Sequence, residues 1–183
     1  MVEHPLATIE PGLLRSLTIR LGGLLVFATA LLMFVDVPLQ GHSSPWGIVS
    51  FELAATPHEA LRILLEWKSR GALGYAKLSL AIDFVYLSIY ALFFSSLALW
   101  VGHHRGQKTR SRRAAWAATA AAGFDVLENI VLLYELSRFT SPAPFPQLAT
   151  SFAAAKLALL LLSVSYSVSG GIALVRARYR RPL

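Results

Sequence analysis

Residues 75–101, YAKLSLAIDFVYLSIYALFFSSLALWV, decide the fold. A helix rises about 1.5 Å per residue, and a hydrocarbon core roughly 30 Å thick takes about 20 apolar residues to cross. This run is long enough, and its only charges are Lys77 near one edge and Asp83 inside it. Working outward, three more stretches have the same character, so the chain is expected to span near 18–36, 75–101, 114–136 and 147–174. In the first, Ala28-Thr29-Ala30 resembles a signal-peptide cleavage site, but the apolar run continues through Leu31 to Val35, which argues for a retained span.

The whole-chain numbers agree. Of 183 residues, 55% are hydrophobic and 15% charged, with mean hydropathy +0.55. Soluble domains carry nearer a quarter charged residues. The fold class expected is therefore an all-α integral membrane protein, residues 1–183 forming one membrane domain. Its core is a four-transmembrane-helix bundle. The chain has no cysteine, which excludes disulfides, thiol nucleophiles and thiolate metal sites.

The net charge of +7 comes from basic runs that flank the spans, which is a topology signal and not a nucleic-acid surface. Arg15 and Arg20 precede the first span, Arg105, Lys108, Arg110, Arg112 and Arg113 follow the second, and Arg176, Arg178, Arg180 and Arg181 follow the fourth. Only Glu3 and Glu10 oppose them. The other flanks are balanced, with Arg62, Lys68, Arg70, Lys77 and Arg138 against Asp36, Glu52, Glu59, Glu66 and Glu135. Lys and Arg in short loops stay inside, so both termini are expected in the cytoplasm, in a bacterial inner membrane, and the 37–74 connection outside. The arginine tail reads as a stop-transfer anchor that also touches acidic headgroups.

The 37–74 connection opens with turn formers (Pro38, Gly41, Pro45, Gly47) and then becomes helical. Thr56-Pro57-His58-Glu59 predicts a helix start, with Thr56 as cap, Pro57 in the first turn and Glu59 closing a capping box. The helix should run to about Ser69 with Leu61, Leu64, Leu65 and Lys68 on one face. It is too short to span and is expected to be amphipathic and interfacial, either as a lid or as a tether anchored by Trp67. His42 and His58 lack metal-ligand spacing, so neither a metal nor a cofactor is expected.

Ionisable residues inside a span are costly unless they face protein, water or a partner. Asp83, Asp125, Glu128 and Lys156 are such residues. Counted along their helices, Asp83, Glu128 and Lys156 come to one level, roughly 12 to 14 Å below the surface, with Asp125 one turn deeper. Their faces agree with this. Ser79, Asp83, Tyr86 and Tyr90 share one stripe, and Asp125, Glu128 and Asn129 continue the small-residue face of Ala114, Ala118, Ala121 and Ala122. Lys156 shares a side with Ser163, Ser167, Gly170 and Gly171. Asp83, Asp125, Glu128 and Lys156 are thus the candidate catalytic groups, and Tyr86, Tyr90 and Asn129 the candidate ligand contacts. Three acids against one base imply a retained proton, a cation or a ligand ammonium.

Three functions fit this pattern. The first is binding or turnover of a lipid-like or amphiphilic small molecule, with Asp83 and Glu128 as acid and base and membrane lipids as partners. The second is a proton- or cation-coupled carrier, and the third a non-catalytic subunit held together by its buried charges. Walker A, GxSxG, HExxH and acidic diphosphate motifs are absent, which disfavours nucleotide-driven transport, serine hydrolysis, zincin chemistry and prenyl transfer.

Overall fold

The structure is a computed structural model that describes residues 3–179, with side chains to Ala177. The part of the arginine tail from Arg178 to Arg181 therefore lies wholly or in its side chains outside the described residues. Six helices follow in order: α1 (Pro11–Asp36), α2 (Ile48–Glu52), α3 (Pro57–Ser69), α4 (Leu73–Arg105), α5 (Lys108–Arg138) and α6 (Phe145–Tyr179). Short 3-10 turns, Pro5–Thr8 and Val37–Leu39, bracket α1. No strand occurs among the described residues. Four helices are long and apolar enough to cross a membrane, each holding an 18-residue stretch whose mean hydropathy is 2.0, 1.9, 1.3 and 1.9 in chain order. The chain is an all-α integral membrane protein built on a four-helix bundle.

The helices run past the expected spans. The 102–113 stretch is mostly helix, interrupted at Gly106 and Gln107, so Lys108, Arg110, Arg112 and Arg113 sit on the first turns of α5 instead of in a loop. The chain divides into two compact units, one made of Val26–Leu87 and Gly123–Lys156, the other of Met1–Leu25, Ser88–Ala122 and Leu157–Leu183.

In the first of these units, α3 begins as its sequence predicts. The Thr56 hydroxyl oxygen accepts the Glu59 amide at 3.2 Å. The reciprocal half of the box differs: the Glu59 carboxylate accepts from the Thr56 hydroxyl at 3.1 Å. The buried face also differs from the expected one by a single position. Ala60, Ile63, Leu64 and Trp67 are buried, whereas Leu61 and Leu65 are exposed. Both sets have helical spacing, and tertiary packing selects the one that places Trp67 against Phe51, ring centroids 5.4 Å apart.

Trp67 is consequently no headgroup anchor. It is fully buried, and its indole N–H donates to the Leu39 carbonyl at 2.8 Å and lies 3.1 Å from the Ser44 hydroxyl. The exposed tryptophan of this region is Trp46. Glu66 fastens the same loop, accepting the His42 and Ser43 amides at 2.8 and 2.6 Å. The Ser43 amide, above all, holds its carboxyl below the usual glutamate range. Glu135, read from the sequence as a surface charge, is buried and bonded by the Ser141 hydroxyl.

The other unit is joined by hydroxyls and small residues. Thr18 donates to the Leu14 carbonyl at 2.8 Å and reaches Ser96 at 3.0 Å. Ser95 donates to the Ala115 carbonyl across to α5 at 3.0 Å. A Cβ on Gly102 would lie 2.1 Å from Ser111 Cβ, so this α4–α5 approach requires glycine. The segment before α1 folds into the same unit: His4 is buried, its Nδ1 accepts the Leu6 amide at 3.2 Å and its Nε2 meets the Thr119 hydroxyl at 3.2 Å.

Candidate functional site

All the ionisable residues singled out within the spans belong to the unit formed by 26–87 and 123–156. Helix α5 presents Asp125, Glu128 and Asn129 within five residues, and all three are buried, at 2%, 0% and 1% exposure. From α6, the Lys156 ammonium lies 2.8 Å from Glu128 Oε2 and 2.9 Å from Asp125 Oδ1. A third carboxylate, Glu52 Oε2, stands 3.6 Å from the same nitrogen. The Lys156 and Glu52 side chains each remain 17% exposed, so the cluster grades from partly open to closed.

The contacts of Lys156 are not equivalent. With Asp125 it makes a directed hydrogen bond. Glu128 Oε2 is met by the same ammonium in a close ion pair, and Glu128 Oε1 has no hydrogen-bond partner among the described residues. A fully buried carboxyl group with an unmet acceptor is costly to the fold and therefore calls for a reason beyond packing.

Glu52 was not among the residues the sequence singled out. It ends α2, a five-residue helix held at both ends. At its start, Asp36 Oδ1 accepts the Ile48 amide at 2.7 Å. Gly47, at φ +57°, makes room for that carboxylate, since a Cβ there would come within 1.9 Å of Asp36 Oδ2. At its end, the Thr150 hydroxyl donates to the Glu52 carbonyl at 3.2 Å. Phe51 turns inward to Trp67, and Glu52, next in the chain, reaches Lys156. The only sequence signal was an acid between two apolar residues in a loop of turn formers.

Asp83 enters the group differently from expectation. Asn129 Nδ2 donates to Asp83 Oδ2 at 2.6 Å, and Asp83 is not among the ion-pair partners of Lys156 among the described residues. The depth count put these residues at one level, but Asn129 takes Asp83 and leaves Lys156 to the α5 acids and Glu52. Of the aromatic candidates, the Tyr86 hydroxyl accepts from Thr29 at 3.3 Å within this unit. Tyr90 is buried in the other unit. His42 and His58 are both exposed, and no group of three His, Cys, Asp or Glu suited to a metal ion occurs among the described residues.

The arrangement thus offers four carboxyl groups, one ammonium and one carboxamide from four segments of chain. It can accept hydrogen bonds or a proton at Glu128, and positive charge between Glu128 and Glu52. No family model, no curated protein and no solved structure matches the chain.

Proposed function

We propose that the cluster around Lys156 is a binding site for a lipid-like or amphiphilic small molecule, entered past Glu52 and Lys156 and ending at Glu128. The observation that carries this reading is Glu128 Oε1, fully buried yet without a hydrogen-bond partner among the described residues, beside two residues that keep partial exposure. Asp83 on Asn129, and Tyr86 with its hydroxyl, supply further polar contacts. If the bound molecule is also turned over, Asp83 and Glu128 are the acid and base, and Lys156 sets which carboxyl is charged. Membrane lipids are the natural source of such a molecule. The basic runs favour both termini in the cytoplasm of a bacterial inner membrane, with the 37–74 connection outside.

A second reading, a proton- or cation-coupled carrier, is favoured by the excess of carboxyl groups over the single ammonium. The two differ in what reaches the cluster. Because the chain has no cysteine, Glu52→Cys and Lys156→Cys each give one reporter thiol in nanodiscs. The ligand reading expects fast reaction with a lipid-soluble maleimide and slow reaction with charged, water-soluble methanethiosulfonates of either sign. Fast reaction with the charged reagents would transfer the proposal to the carrier. Silence towards both would leave a purely structural cluster.

A further inference from the structure

We propose that the head group taken by this site is a cation, a protonated amine on an apolar body, and that the site rejects anionic amphiphiles; this rests on the ligand-binding reading above. The first warrant is charge. Glu52, Asp125 and Glu128 all lie within 4 Å of one ammonium, and Asp83 stands beside them on Asn129. Lys156 supplies the positive charge of this group, and it already lies within 4 Å of three acids. A phosphate or carboxylate head group would add negative charge to three acids that already share a single ammonium. An alkylammonium brings the missing positive charge together with donors of its own.

The second warrant is independent of the charge count. Glu128 Oε1 is buried without a hydrogen-bond partner among the described residues, so an incoming N–H has a defined place to bind. An ammonium held between Glu52 and Glu128 would leave Lys156 bonded to Asp125 as it already is. Every carboxylate of the Lys156 group would then have a cationic partner. The gradient of exposure, 17% at Glu52 and 0% at Glu128, gives the order in which the head group meets them.

The test uses the full chain in zwitterionic nanodiscs and three photoreactive dodecyl probes that differ only in head group: an amine, an alcohol and a carboxylate. Cross-linked peptides are mapped by mass spectrometry, with empty nanodiscs as the partitioning control. The amine probe should label the peptide spanning Asp125–Asn129 most strongly and the carboxylate probe least. Glu128→Gln should weaken amine labelling by about tenfold or more while sparing alcohol labelling. Glu52→Gln, at a partly exposed position, should weaken amine labelling too and keeps the test decisive if Glu128→Gln folds poorly. Equal labelling by amine and carboxylate, or amine labelling untouched by both variants, overturns the cation preference alone. Failure of all three probes to label the cluster overturns the ligand-binding reading itself.

Discussion

In the unit that contains Thr18, Ser95 and Thr119, the buried polar groups are mostly hydroxyls that bond to backbone carbonyls of the same or a neighbouring helix, as Thr18 does with Leu14 and Ser95 with Ala115. In the unit that contains Lys156 they include acids, and the ammonium shared by Glu52, Asp125 and Glu128 comes from a distant part of the chain. A hydroxyl satisfied by a carbonyl one turn away costs little in a membrane and holds helices together modestly. Where such a hydroxyl lacks a partner, as at Ser163 Oγ, the group is neutral and the penalty small. An ion group with surplus acid is expensive, so its presence separates a unit that assembles helices from one that is a candidate for chemistry.

The largest expected effect that tests this contrast is Lys156→Met. Removing the ammonium strands Asp125 and Glu128 and should destabilise the fold by about 3 to 5 kcal/mol, read by reversible unfolding in mixed micelles. Asp125→Asn combined with Lys156→Met should cost less than the sum of the single changes, because the two groups are bonded at 2.9 Å. Asp83→Asn with Lys156→Met should be much closer to additive, since Asn129 holds Asp83. If the Asp83 cycle showed the stronger coupling, the assignment of partners would be wrong.

A middle-sized effect is expected at Thr56, whose replacement by Ala removes the α3 cap and should cost about 0.5 to 2 kcal/mol. Amide exchange across Glu59 to Leu65 reads it directly, and unchanged protection there would argue that the buried Ala60–Trp67 face alone holds the helix.

Smaller still is Thr18→Val, which removes a hydroxyl contact between α1 and Ser96 on α4. A loss of about 0.6 kcal/mol is expected, the usual worth of such a bond between membrane helices. A loss as large as that of Lys156→Met would erase the distinction between the two units.

The most local effect is on His4. Burial holds its imidazole below the ordinary value of 6.5, and Nδ1 is already committed as an acceptor from Leu6. The unfolded segment gains a proton first as pH falls, so the contribution of His4 is complete above about pH 6.5 and is lost as pH drops through the lower folded value. Amide exchange at Leu6 and Ala7 should quicken on acidification, and His4→Asn should remove most of that pH dependence. Exchange that stays flat down to about pH 5 would show that the imidazolium is accommodated.

The four long helices were legible because about 20 apolar residues in a row have few alternatives to crossing a membrane. The Asp125, Glu128 and Lys156 group was visible because charges inside such runs stand out and helical rise converts sequence into depth. Glu52 was invisible for the complementary reason: it lies in a loop, where an acid is ordinary, and only the fold of α2 carries it to Lys156. The buried face of α3 was misread because Leu61 and Leu65 are more apolar than Ala60, and side-chain hydropathy alone does not say which stripe meets Phe51. The bond from Asn129 to Asp83 was not legible, because depth fixes a level but not a neighbour.

The bond between Thr150 and the Glu52 carbonyl joins positions 98 residues apart, and this sets an order of events during synthesis. Residue 52 leaves the ribosome several seconds before residue 150, at about 5 to 20 residues per second. Until α6 arrives, α2 has neither Thr150 nor Lys156 to dock against, and the α5 acids have no ammonium. The nascent chain therefore passes through an interval in which its acids lack their counter-ion, and α6, made after α1 to α5, is the helix that completes the group. A chain ending after Arg138 should leave a cysteine at position 52 quickly reactive towards charged, water-soluble methanethiosulfonates, whereas the chain that includes α6 should react with them slowly.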